Sequence, residues 1–200
     1  MDDKVIMSYS FSNTDILNSI DKLYLNNEGF TLDPTYSKGN FYKDFKQPKY
    51  KSDIKPCVDG VQLACSTKLP MEDNSIQSIC FDPPFLIGYG NCKENKNISA
   101  TRFGIFPYYR DLMSYYTESA KEFNRILKRG GILAWKCQDY AVNPITKYFM
   151  HIDVYNIATK NGFLCWDLFI LLSKHRIYNP NLPQRQSRKF HSYWYVFKKG

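Results

Sequence analysis

The sequence predicts an α/β protein: a mostly parallel seven-stranded sheet that ends in an antiparallel hairpin, with helices on both faces. Two observations carry this. Apolar runs of strand length alternate with amphipathic stretches of helical spacing, most of them closed by glycine or proline. The last two apolar runs have no helical stretch between them, which makes them hairpin partners.

Each element has its own signal. Asp15 to Tyr24 places Ile16, Leu17, Ile20, Leu23 and Tyr24 at helical spacing, with Asn13 or Thr14 as cap and Gly29 beyond its end. Phe30 to Leu32 is a short strand, followed by a turn-rich loop from Asp33 to Phe41. Tyr50 to Ile54 and Val61 to Cys65 are two more short strands, and Ile76 to Phe81 is a buried one. Asp111 to Lys128 is a strongly amphipathic helix on Leu112, Tyr115, Tyr116, Ala120, Phe123 and Leu127. Its cationic end suits the helix dipole, and Gly130-Gly131 is read as the stop. Ile132 to Lys136 is a buried strand, and Pro144 to Asn161 a helix stopped by Gly162. Phe163 to Leu172 and Ser192 to Phe197 form the final hairpin, joined by a basic loop. No repeat or low-complexity linker divides the 200 residues, so one domain is expected.

Composition narrows the function classes. A formal charge of +8 favours a polyanionic partner. Six scattered cysteines (57, 65, 80, 92, 137, 165) form no Cys-x-x-Cys pair and read as free, mostly buried thiols of a reducing compartment. With only His151, His175 and His191, no metal site is expected. The N-terminal Asp2 and Asp3, the lack of an apolar leader and the absence of any run of membrane-spanning length point to a cytoplasmic protein without membrane association. The phosphate-binding pattern Gly-x-x-x-x-Gly-Lys-Ser/Thr is absent, which argues against phosphoryl transfer.

Asp82-Pro83-Pro84-Phe85 is the most informative motif. It stands at the end of the Ile76–Phe81 run, where a buried strand gives way to a loop. Two prolines fix φ and remove two backbone donors, so the corner is stiff. It presents one carboxylate, free carbonyls and an aromatic face. That set suits a flat ring bearing an exocyclic amine: Asp82 and a loop carbonyl accept the amino hydrogens, and Phe85 stacks on the ring. The plainer reading is a strand-ending turn, with Phe85 in the core.

With three further segments, this corner resembles the S-adenosylmethionine-dependent DNA amino-methyltransferases, which modify adenine N6 or cytosine N4. Asp82 to Phe85 resembles their catalytic tetrapeptide. Leu32-Asp33-Pro34-Thr35-Tyr36-Ser37-Lys38-Gly39-Asn40-Phe41 resembles their cofactor loop, with Ser37 where the family has its first glycine. Leu127-Lys128-Arg129-Gly130-Gly131-Ile132-Leu133 resembles the segment before their fifth strand, and Asp73-Asn74-Ser75-Ile76 also fits. The likeness covers about residues 30 to 200. It implies a Rossmann-like class I methyltransferase using S-adenosyl-L-methionine, with Asp82, Pro83, Pro84 and Phe85 catalytic. It also implies that Asp33, Pro34, Thr35, Tyr36 and Gly39 hold the cofactor. An acidic residue that would read the cofactor's adenine is missing at Cys65-Ser66.

Asp53, about twenty residues beyond Asp33 at the end of the next strand, either takes the two ribose hydroxyls or is a solvated acid between Lys51 and Lys55. Lys136 contacts DNA phosphate, structures the site, or is an exposed strand-end lysine. Lys174, Arg176, Arg185, Arg188 and Lys189 lie in an acid-free segment interleaved with aromatics, a pattern that suits a nucleic-acid surface and also a solvated basic loop. His191 reads as a structural hydrogen-bonding residue. Leu86 to Arg110 is expected to be a mobile substrate loop. No separate target-recognition domain is expected within these 200 residues. Recognition is therefore expected from that loop, the basic segment, a partner subunit or a homodimer. The expected substrate is DNA, with adenine N6 favoured by the Asp-initiated tetrapeptide. The alternatives are an RNA base, a protein, or a non-catalytic nucleic-acid-binding subunit on the same fold.

Overall fold

The computed structural model describes residues 5–87, 106–141, 145–174, 183–184 and 187–200. Its centre is an eight-stranded sheet: β1 (Tyr9–Ser10), β2 (Leu32–Asp33), β3 (Tyr50–Asp53), β4 (Gln62–Leu63), β5 (Ile76–Phe81), β6 (Leu127–Cys137), β9 (Phe163–Leu172) and β10 (His191–Lys199). The spatial order is β4-β3-β2-β5-β6-β10-β9-β1. Only β10 runs antiparallel, inserted between β6 and β9, so the mostly parallel sheet and terminal hairpin are both present. The eighth strand is β1, which pairs parallel with β9 at the far edge. Its two residues carry no periodicity from which a strand is read. A separate small hairpin joins β7 (Tyr140–Ala141) to β8 (Lys147–Tyr148).

Among the described residues three α-helices flank the sheet: α1 (Asn13–Tyr24), α2 (Tyr109–Ile126) and α3 (Met150–Lys160). Side chains alternate between two cores, as strand geometry requires. Phe81, Leu133, Trp135 and Phe197 pack with Leu112, Tyr116, Phe123 and Val154 of α2 and α3. Cys80, Ala134, Trp194 and Val196 pack with Ile16, Leu17 and Ile20 of α1 on the other face. The α1 cap is Ser12, whose hydroxyl accepts from the Asp15 amide at 3.3 Å. It is one residue before the expected cap because Asn13 is already helical.

Several boundaries differ from the sequence reading, each for a physical reason. The strand expected at Phe30–Leu32 is Leu32–Asp33, because Phe30 turns into the α1-side core. The element at Val61–Cys65 shrinks to Gln62–Leu63, both exposed. Helix α2 ends at Ile126, two residues early, and Lys128-Arg129-Gly130-Gly131 belongs to β6. Ile76 pairs with Leu127 but Ser78 with Ile132, so 128–131 bulge out opposite Gln77. Gly130 there has φ +75. The glycine pair builds a bulge rather than a helix stop. The helix expected from Pro144 begins at Met150, since Lys147–Tyr148 pairs with Tyr140–Ala141; Pro144 itself lies outside the described residues.

Of the described cysteines, Cys80 and Cys137 are buried while Cys57 and Cys165 are exposed; all are free thiols. The expectation of mostly buried thiols holds only in part. Among the described residues no helix is long and apolar enough to cross a membrane. Residues 88–105 of the expected substrate loop lie outside the described residues.

The bulge makes a prediction. A Cβ on Gly131 would stand 2.8 Å from the Lys128 carbonyl and 3.0 Å from the Gln77 carbonyl, both backbone atoms. Gly131→Ala is expected to lower unfolding free energy by about 1–3 kcal/mol, read by urea denaturation.

Candidate active site

The chain runs from β2 outwards through β3 to β4, then returns to the other side of β2 to lay down β5 and β6. The strand order therefore reverses between β2 and β5, and ligands of parallel sheets bind beyond the strands' carboxyl ends at such a point. Asp53 ends β3, Asp33 ends β2 and Asp82 follows β5, so three carboxylates line this edge.

Thr35 joins the two central acids. Its backbone amide and hydroxyl both donate to Asp33 Oδ1, at 2.7 and 3.2 Å, and its hydroxyl accepts from the Asp82 amide at 3.0 Å. The Tyr42 hydroxyl donates to Asp33 Oδ2 at 2.7 Å. Asp33 is buried, and burial outweighs these hydrogen bonds, pushing its carboxyl up to about 7.

The loop after β2 is wound tightly. Ser37 stands at φ +51 and Gly39 at φ +65. Ser37, where the resembled family has glycine, thus adopts the left-handed backbone that glycine favours. Its amide donates to Asp53 Oδ2 at 2.8 Å, while Asp53 Oδ1 accepts from the Lys55 amide at 2.7 Å. Asp53 is therefore partly buried and clamps two loops, and each oxygen keeps a further lone pair for a ligand. A Cβ on Gly39 would meet the Tyr36 ring and hydroxyl at 2.4–2.8 Å. Tyr36 stacks on Tyr42 and its hydroxyl donates to Gln47 at 2.6 Å, so it is a packing residue of the loop.

At the proline corner, Pro83 is buried while Asp82, Pro84 and Phe85 are partly exposed. The Pro84 carbonyl accepts from the Tyr116 hydroxyl at 3.2 Å. The Pro83 carbonyl has no hydrogen-bond donor among the described residues. Neither does Phe85 have an aromatic partner among them, so its ring is not committed to the core cluster that holds Phe81.

Lys136 is not an exposed strand-end lysine: its side chain is 16% exposed, and its ammonium stands 3.5 Å from Asp82 Oδ2. It also lies 4.7 Å from the Phe41 ring centre and 5.6 Å from that of Trp194. Burial pushes the Asp82 carboxyl up, and Lys136 pulls it back down.

The sequence reading missed an acid–histidine pair along the same edge. Asp139, just past β6, holds His151 Nδ1 at 2.7 Å and accepts from the Tyr193 hydroxyl at 3.4 Å. No periodic or motif signal marks residues so far apart in the chain. Among the described residues no group of three or more His, Cys, Asp or Glu could hold a metal ion.

Lys174, Arg188 and Lys189 flank the site-side ends of β9 and β10. Lys174 lies 5.3 Å over Phe11 and Lys189 6.0 Å over Phe149. Arg176 and Arg185 lie outside the described residues. A cavity of about 450 Å³ opens at the opposite edge of the sheet, lined by Gly29, Thr31, Ser78 and Lys128 among others. It contains none of the three strand-end acids.

No family model matches the chain. No curated protein matches it either. Solved structures do. An S-adenosylmethionine-dependent methyltransferase of Thermotoga maritima, a candidate histamine N-methyltransferase, is 17% identical over 94% of this chain and 89% of its own, with a TM-score of 0.52. The N-methyltransferase NodS of Bradyrhizobium japonicum is 11% identical over 92% of this chain and 94% of its own, also at 0.52. The chain has the Rossmann-like methyltransferase fold. A candidate DNA modification methylase of Thermus thermophilus is 19% identical over 68% of this chain, with a TM-score of 0.49. This chain spans about half (52%) of that protein's length.

Asp33 yields a pH prediction. The folded chain holds its proton up to about pH 7, whereas the ordinary carboxyl value is 3.8. Its contribution to stability is complete below 3.8 and is lost as pH rises through 7. Asp33→Asn, which cannot ionise, is expected to gain stability relative to the parent over that window, by as much as a few kcal/mol. Thermal melts of both proteins at a series of pH values check the sign.

Proposed function

We propose that this protein transfers a methyl group from S-adenosyl-L-methionine to the exocyclic amino group of an extruded base in DNA, adenine N6 being the favoured target. The observation that carries the reading is the Thr35 hydroxyl, which fixes the catalytic corner to the cofactor loop at the reversal of strand order.

The donor set fits the cofactor. Asp33 and Asp82 suit its cationic end, and Asp53, with a spare lone pair on each oxygen, suits a ribose diol. Pro34, Thr35, Tyr36 and Gly39 shape the loop between them. When bound, the cofactor supplies an electrophilic methyl group on a sulfonium.

The chain's own residues then act on the amine. An exocyclic amine is a poor nucleophile because its lone pair is delocalised into the ring. Accepting one amino hydrogen on Asp82 and the other on the Pro83 carbonyl localises that pair. Phe85 supplies the stacking face for the extruded ring. Tyr116, bonded to the Pro84 carbonyl, keeps the proline corner from rotating. Asp82 need not be a strong base, because the amine becomes acidic enough to release its proton once alkylated. Lys174, Arg188 and Lys189, on the same edge, supply phosphate contacts.

The test has two arms. Nucleosides from the DNA of a host expressing the protein, analysed by mass spectrometry, are expected to contain N6-methyladenine, reduced by about 10²–10³-fold with Asp82→Ala. Labelled methyl groups entering RNA or protein instead would move the substrate. Calorimetry with S-adenosylhomocysteine is expected to show saturable binding, and no binding at millimolar ligand would overturn the cofactor assignment.

A further inference from the structure

Lys136 stands inside the site rather than beside it, and three contacts define its place. Its ammonium is 3.5 Å from Asp82 Oδ2 on the catalytic corner. It lies 4.7 Å from the ring of Phe41, in the cofactor loop. It lies 5.6 Å from the ring of Trp194, on β10. Phe41 and Trp194 in turn meet edge-on, with centres 5.6 Å apart, and the Trp194 indole N–H donates to Asn13 at 3.1 Å. A cation held between two ring faces and one carboxylate has little freedom to move.

We propose that Lys136 is a positioning residue: it holds the Asp82 carboxylate in orientation and in its charged form, and ties both to the closure of the cofactor loop through Phe41. The role rests on the proposed amine methylation, since a charged, aimed carboxylate matters only if it accepts the amino hydrogens.

The surroundings of Asp82 explain why a counter-charge is needed. Facing it are Asp33 from β2, Cys80 from β5, Tyr116 from α2 and Cys137 from β6, and each of these groups is neutral or negative. Lys136 is the cation that opposes them. A carboxylate surrounded in this way, without its partner, takes up a proton and becomes a donor where an acceptor is required. The aromatic cage also accounts for a lysine whose ammonium is not drawn out to solvent. The rings hold it by their faces, and they belong to two elements that must both be in place.

The test separates this role from the parent reading. Carboxyl-carbon NMR follows Asp82 in the ligand-free protein and needs no turnover. Lys136→Met is expected to raise the Asp82 titration midpoint by about 1–3 pH units, and Lys136→Arg to leave it near the parent value. In methyl transfer, Lys136→Met is expected to move the acidic limb of the pH–rate profile upwards by the same amount. The loss falls on kcat, and raising the pH recovers activity. Should Lys136→Met not fold, Lys136→Gln takes its place, with the same upward movement of the Asp82 midpoint expected. An Asp82 midpoint unchanged in a folded Lys136→Met or Lys136→Gln protein would overturn the proposal. An inactive parent protein whose Asp82 midpoint nevertheless moves would instead count against the methylation reading alone.

Discussion

The hydroxyl of Thr35 is shared by the two halves of the sheet. It accepts from the Asp82 amide on one side and donates to Asp33 on the other. Both acids owe their positions to strands that end there, but strand ends alone leave loops free to splay. A single hydroxyl, used as acceptor and donor together, closes the gap across the reversal of strand order. Tyr42 adds its own hydroxyl to the far side of Asp33, so a carboxyl that could ionise in water is enclosed by protein groups.

The two halves are built differently. From β5 through β6, β10 and β9 the strands run six to eleven residues and pack against α2 and α3 on one face. The half that ends in Asp33 and Asp53 has strands of two to four residues, and among the described residues no α-helix lies between β2 and β5. Its loops are held instead by side chains that bond to backbone, as Asp53 does with Ser37 and Lys55. Order there comes from specific polar contacts rather than from buried area, and the positive φ of Ser37 is tolerated because its amide is anchored.

Much of the fold was legible in the sequence because the long elements have strong periods. Ile76–Phe81 and Phe163–Leu172 stand where the apolar runs put them. The α/β class followed from alternation alone. What escaped were elements too short to have a period, such as β1, and the Gly130-Gly131 pair, where one composition serves two geometries, a helix stop or a bulge. In the site, motif position marked Asp33 and Asp82 as strand-end residues. Position says nothing about partners. That Lys136 turns inward to Asp82, that Tyr42 reaches Asp33 and that Tyr116 holds the Pro84 carbonyl depend on side chains brought together by the sheet across up to 54 positions of chain.

The enclosed carboxyl of Asp33 has a consequence for calorimetry. A group that titrates near neutrality is a reservoir: when a positive charge settles against it, its proton is expelled into the medium. Association is then written with a hydrogen ion among the products. Its measured heat would differ between phosphate and Tris by the ionisation enthalpy of the buffer, and its affinity would climb with alkalinity until the reservoir is empty.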